Sequence, residues 1–194
     1  MPKLLLLLFY CLISATCIAQ TAPTFPDTPT ITETSVGKAQ VGMSVYKLRE
    51  LYEGFTFTPT YTAAYGFDGG SNEADAILVS KAGQKLFVYF WDEAAKTVYG
   101  LIVLHPAYKT AAGIHVGSTS GQLKAAVPAV RVTSHHGVDN LEIASIDRGE
   151  YQPVSLSYAF LHKPMGISKK PNPLTPSRIA VLTAKIAWII IKPH

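Results

Sequence analysis

Cysteine is almost absent from this chain of 194 residues: Cys11 and Cys17 are the only two, and both lie near the start. The opening stretch, MPKLLLLLFYCLISATCIAQ, has one positive charge at Lys3, an apolar run from Leu4 to Ile13 and small residues ending at Ala19. That is the composition of an export signal, which is removed from the mature protein. Cleavage between Ala19 and Gln20 would use Cys17 and Ala19 as the small residues that the peptidase reads. A lipoprotein would instead carry lipid on Cys17, but Thr16 stands where a smaller residue is expected before it. Without its signal (residues 1–19) the chain has no thiol. Disulfides, a cysteine nucleophile, Cys-ligated zinc and c-type haem attachment are thereby excluded. Stability must come from a hydrophobic core, and a chain of about 175 residues can bury roughly 70% of its unfolded surface.

Other absences narrow the function. No later run reaches the roughly 20 apolar residues of a membrane-spanning helix. A soluble exported protein, periplasmic or secreted, is expected. The chain has no Gly-x-Ser-x-Gly, no phosphate-binding GxxxxGK and no dinucleotide fingerprint. FDGGSNEAD carries Asp68, Glu73 and Asp75 without the ordered spacing of a calcium loop. His135 and His136 are adjacent in the turn-like SHHGVDN, so in a strand they would point to opposite faces and not chelate one ion together. His105 and His115 occupy positions that accept any polar residue. No catalytic, cofactor-binding or metal-ligating residue is assigned on this basis, and neither a cofactor nor a nucleic-acid partner is expected.

Acidic residues are missing from one region. The formal charge is +4 at pH 7, but between Leu161 and His194 Lys163, Lys169, Lys170, Arg178, Lys185 and Lys192 face no Asp or Glu. A local field of this kind, more than the net charge, recruits an anionic partner. Lys163, Lys169, Lys170 and Arg178 are the candidate contacts to an anionic surface.

What the chain does contain is one pattern written twice. VGMSVYKLREL aligns without a gap on VGSTSGQLKAA, pairing Val41 with Val116, Gly42 with Gly117, Ser44 with Thr119 and Leu48 with Leu123. In the first copy Ser44 is an N-cap, Val45, Leu48, Leu51 and Tyr52 share a helix face, and Gly54 ends a helix of about two and a half turns. FTFTPTY, AILVSKA, KLFVYFW and TVYGLIVLH follow as strands, and AGQ and DEAAK are hairpin turns. In the second copy Thr119 and Gln122 have capping-box spacing, Pro128 stops the helix, and VRVTS, NLEIASI, VSLSYAFL and AVLTAKIAWIII are strands. The closing strands align Tyr99–Pro106 with Ile186–Pro193. The expected fold is α+β, a tandem duplication of a unit with one short helix on a mostly antiparallel sheet of about four strands. Its parts are a Thr/Pro-rich leader (20–35), a first repeat (36–110) and a second repeat (111–194) with a basic Pro-rich insertion near 162–176.

The pattern Val-Gly-Met-Ser-x-x-x-Leu-x-x-Leu, with its second copy, resembles the repeat of β-lactamase-inhibitor-protein-like domains and of small outer-membrane assembly lipoproteins. The resemblance implies a helix packed on an antiparallel sheet and a bias towards binding. It does not extend to the cysteines that stabilise the inhibitor units, nor to β-lactamase inhibition. HPAYKTAAGIHVGST is also similar to a segment of uncharacterised exported bacterial proteins.

Aromatic residues supply the remaining candidates. Tyr61, Tyr65 and Phe67 precede a glycine-rich turn, and Tyr89 and Trp91 share one face of KLFVYFW; exposed together, they would form an aromatic binding face. Three readings stand in order. The first is a non-catalytic binding or interaction module whose partner is an unknown protein or envelope component. The second is an envelope-associated structural protein in peripheral contact with a membrane or anionic glycan through its basic C-terminal region. The third is an enzyme with a dispersed site.

Overall fold

The computed structural model describes residues 29–67, 74–134, 141–146, 155–161 and 178–192. In chain order the elements are β1 (Thr30–Ile31), β2 (Ser35–Val36), β3 (Ala39–Gln40), α1 (Val45–Leu51), β4 (Thr56–Thr60), a 3-10 turn (Thr62–Tyr65), β5 (Ala76–Lys81), β6 (Gln84–Asp92), β7 (Thr97–Val103) and β8 (Lys109–Thr110). They continue with α2 (Ser120–Ala126), β9 (Val130–Ser134), β10 (Leu141–Ile146), β11 (Ser155–Leu161) and β12 (Trp188–Lys192). The class is α+β, mostly sheet with two short helices.

Eight strands form one antiparallel sheet in the order β4-β5-β6-β7-β12-β11-β10-β9. The two-residue strands β3-β2-β1-β8 make a second, four-stranded sheet. A separate sheet of about four strands for each half is therefore not what forms. Strands β7 and β12 join the halves, Ile189 pairing with Val103, Ile190 with Ile102 and Ile191 with Leu101. Edge-to-edge joining satisfies two rows of backbone groups that would otherwise face solvent.

Alternation decides which side chain faces which layer. Phe87, Tyr89, Leu101, Val103, Ile189 and Ile191 lie in one buried cluster with Leu48 and Tyr52 of the α1 region and Leu123 of α2. Val88, Ile102, Trp188 and Ile190 lie in a second cluster, on the opposite face. Both faces of the central strands are buried, which is why KLFVYFW and WIII read as continuous apolar runs and not as alternating ones. Leu48 and Leu123 are each 0% exposed, and truncating such a leucine to Ala typically costs 2–5 kcal/mol, taken as an order of magnitude.

The two helices dock alike. Gly42 N donates to Val98 O and Gly117 N to Ile186 O; Val98 N donates to Met43 O and Ile186 N to Ser118 O; Val45 N donates to Lys96 O and Ser120 N to Ala184 O. Isolated bridges join Ser44 to Thr97 and Thr119 to Lys185. Each helix opens with a side-chain cap. Ser44 Oγ accepts from Tyr46 N, while Thr119 and Gln122 form the reciprocal capping box. These bonds match Val98 with Ile186, whereas the sequence alignment had matched Tyr99 with Ile186. A one-residue slip is hard to see in an apolar run, yet it exchanges the two faces of a strand.

Three local readings change. Helix α1 covers seven residues, about two turns. The Thr/Pro-rich stretch 20–35 ends in folded structure and not as a leader: β1 pairs with β2 and β8, and Ile31, a large aliphatic side chain amid Thr and Pro, is buried in the first cluster. AVLTAKIAWIII is not one strand, since only Trp188–Lys192 joins the sheet. Its earlier residues run across α2, where Ser120 Oγ donates to Val181 O at 2.6 Å, Gly121 N to Leu182 O at 2.9 Å and Ser120 N to Ala184 O at 2.7 Å. Those carbonyls satisfy N–H groups that the first turn of a helix leaves unpaired.

Candidate functional site

Helix α2 ends before Pro128, and the chain turns there into β9, one of the two edge strands of the large sheet. This turn sets Lys124 on one side and Arg131 on the other. The segment at residues 178–179 returns over the same place, so that Lys124, Arg131 and Arg178 line one cleft together with Pro128, Val130 and Ile179. Its volume is about 260 Å³.

Two of these cations are held by the backbone. Lys124 Nζ donates to Ile179 O at 3.1 Å, and Arg131 Nη1 donates to Ala129 O at 3.1 Å and Val130 O at 3.0 Å. Arg178 is exposed. No carboxylate is among the described lining residues, and the ion pairs Lys47–Glu50 and Lys96–Glu93 involve none of the three. Three positive charges over an apolar wall can hold an anion. Among the described lining residues there is no hydroxyl or thiol and no carboxylate or imidazole base.

Of the predicted basic contacts, Arg178 is in this cleft, while Lys163, Lys169 and Lys170 lie outside the described residues, as do His135, His136 and the whole of the basic insertion at 162–176. Lys124 and Arg131 were not singled out in the sequence. They sit in α2 and β9, far along the chain from the basic run, and only the return of residues 178–179 brings the three together.

The aromatic candidates are divided between the two faces of the sheet. Tyr89 is 0% exposed in the first cluster, where Trp91 packs against it with ring centroids 6.0 Å apart. Burial raises the Tyr89 pKa, and the Arg49 guanidinium nearby opposes this. Tyr65 and Phe67 pack on the second cluster, Tyr65 edge-on to Trp188 at 5.7 Å and Phe67 on Phe90 at 5.2 Å. Burial raises the Tyr65 pKa, with a weaker opposing effect from Thr60. Phe67 also borders a small cavity of about 80 Å³ with Gly66, Ile143, Ser157, Ile190 and Lys192, and Lys192 Nζ lies 5.1 Å from its ring centre. Tyr61 is 50% exposed. The five do not share one surface.

Of the polar residues considered for metal or catalysis, Asp75, His105 and His115 have structural partners, while Asp68 and Glu73 lie outside the described residues. Asp75 accepts from Thr62 N at 2.7 Å and from the Thr62 hydroxyl, which closes the 3-10 turn. His105 accepts from Ala107 N through Nδ1 and meets Gln84 Oε1 through Nε2 at 3.0 Å; burial lowers its pKa. His115 Nδ1 meets Val116 O at 2.8 Å. Among the described residues no group of three His, Cys, Asp or Glu side chains could hold a metal, and no helix is long and apolar enough to cross a membrane.

No protein-family model matches the chain, and no curated protein matches it. Among solved structures it is similar to the uncharacterised protein YfeY from Escherichia coli, with a TM-score of 0.52 and 16% identity over 84% of this chain and 99% of YfeY. At that identity the likeness is one of fold alone.

Proposed function

We propose that this chain is an exported, non-catalytic binding module, made from two copies of a helix-on-sheet unit, that takes up an anionic partner. The observation that carries the reading is the convergence of Lys124, Arg131 and Arg178, from three segments, on one cleft of about 260 Å³. The paired docking bonds of α1 and α2 support the two-copy origin, with Leu48 and Leu123 as equivalent core residues. The helix start shared with β-lactamase-inhibitor-protein-like repeats fits the same origin. Export rests on the signal-like residues 1–19: secreted material should begin at Gln20 by intact mass, and a lipid-modified chain beginning at Cys17 would overturn the soluble form.

The envelope-associated reading differs in the surface used. There Lys163, Lys169 and Lys170 act with Arg178 on a flat anionic surface, and the exposure of Arg178 favours it. Each charge near such a surface contributes on the order of 1 kcal/mol. The anion-binding function is tested by co-sedimenting the mature chain with vesicles of phosphatidylglycerol in phosphatidylcholine, and by its retention on an acidic polysaccharide. Binding should weaken as the Debye length falls from about 10 Å at 0.1 M salt to about 3 Å at 1 M. Absence of salt-sensitive binding to either, and to soluble anions, removes the function. Loss of vesicle binding on changing Lys163, Lys169 and Lys170 to Gln, but not on changing Arg131, selects the envelope reading.

A further inference from the structure

Resting on the anion-binding reading, we infer that the cleft of Lys124, Arg131 and Arg178 takes a phosphomonoester on a small, ring-shaped body, such as a sugar phosphate. Charge is the first reason. A single carboxylate would leave two of the three cations unmatched, whereas a phosphomonoester carries about −1.5 to −2 at neutral pH and three acceptor oxygens.

Preorganisation is the second. Long basic side chains lose rotamer freedom when they clasp a ligand, and that cost falls where the chain is already held. Lys124 is anchored on Ile179 O and retains two further N–H protons; Arg131 commits Nη1 to Ala129 O and Val130 O, leaving Nη2 and Nε to form the planar fork that suits phosphate oxygens.

Shape is the third reason. The volume lies just below the range of roughly 300–1,000 Å³ typical of small-molecule sites, enough for a phosphate with a single sugar ring but not for a lipid with its chains. Pro128, Val130 and Ile179 offer an apolar wall for the non-polar face of such a ring. The phosphoryl group can belong to a free metabolite or to a lipid headgroup that projects into the cleft.

The test titrates the full mature chain, by calorimetry and by amide chemical shifts, with glucose 1-phosphate, inorganic phosphate and glucose. It adds vesicles of phosphatidylcholine with and without phosphatidic acid. Glucose 1-phosphate is expected to bind and to shift the amides of residues 124–131 and 178–179, while glucose does not bind. Arg178→Gln is the clean variant, because its side chain is exposed; it should weaken the phosphate ester at least tenfold with the melting temperature unchanged. Arg131→Gln should weaken it further. Binding of the soluble ester alone identifies a free ligand, and binding of both ester and phosphatidic acid vesicles, each lost in Arg178→Gln, identifies a headgroup. Vesicle binding without ester binding, or ester binding indifferent to Arg178→Gln and Arg131→Gln, overturns this inference and leaves the general anion-binding function standing. No binding of any anion overturns both.

Discussion

Gly121 N donates to Leu182 O at 2.9 Å, and a Cβ at Gly121 would itself stand 2.9 Å from that same oxygen. The approach of backbone to backbone is what presses residues 181–184 onto α2, and those residues lead back to Ile179 and Arg178 at the cleft.

Gly121→Ala sets two effects against each other. Alanine gains about 1 kcal/mol of helix propensity over glycine, but the contact with a backbone oxygen forces the crossing segment away, and such overpacking costs about 1–3 kcal/mol. The variant should be less stable in urea unfolding and should bind anions more weakly. A more stable variant with unchanged binding would show that the segment yields freely.

Gly100 is crowded by a side chain and not by backbone: the Phe90 ring lies across it in the β6–β7 pair, with Cζ the nearest atom to where a Cβ would be. Gly100→Ala should destabilise by about 1–3 kcal/mol by displacing the ring from its contacts with Phe67 and Tyr99. In a double-mutant cycle the cost should largely vanish in Phe90→Ala, because the clash then has no partner. Additive effects would contradict this.

The β5–β6 hairpin turns through Ala82 at φ 49° and Gly83 at φ 76°. Both central positions are left-handed, as the turn that matches strand twist requires, and alanine is a poor occupant of the first. Ala82→Asn should raise stability by about 1 kcal/mol. A Cβ at Gly83 would meet nothing within 4 Å, so Gly83→Ala should lower stability through backbone strain alone. Thermal unfolding of both variants measures the pair, and equal shifts of one sign would refute it.

Tyr158 is buried in the first cluster, and desolvation, with Glu33 adding to it, pushes its pKa up to about 12 from the ordinary 10.0. Because the unfolded chain ionises first, the stability is fully present below about pH 10 and is lost as pH rises towards 12. The slope is about 1.4 kcal/mol per pH unit for one such group. Tyr65 and Tyr89 are shifted in the same direction. Tyr158→Phe should flatten the alkaline limb of a denaturation series between these values, and an unchanged slope would assign the loss to other groups.

The local devices of this protein are legible in its sequence. The Ser44 cap, the Thr119–Gln122 capping box, the stop at Pro128 and the hairpin turns at Ala82–Gly83 and Asp92–Lys96 depend on residues a few positions apart, so their chemistry is written in short windows. The buried pair Leu48 and Leu123 was legible for a related reason, since helix periodicity marks an inward face without naming what covers it.

Long-range relations were not legible. Ile102 faces Ile190 through a pairing of β7 with β12 that no periodicity announces, and the continuous apolar runs concealed a one-residue difference in register. The split of Tyr65 and Phe67 from Tyr89 and Trp91 across the sheet likewise required the strands in place. The amino-acid sequence by itself determined the export-like start, the lack of cysteine after residue 17, the helix caps and the strand content, because each depends on composition or on neighbours along the chain. Only the tertiary structure decided that residues 181–184 cross α2 before the chain joins the sheet, and that Arg178 meets Lys124 and Arg131, because these contacts join segments whose separation along the chain carries no local chemical signal.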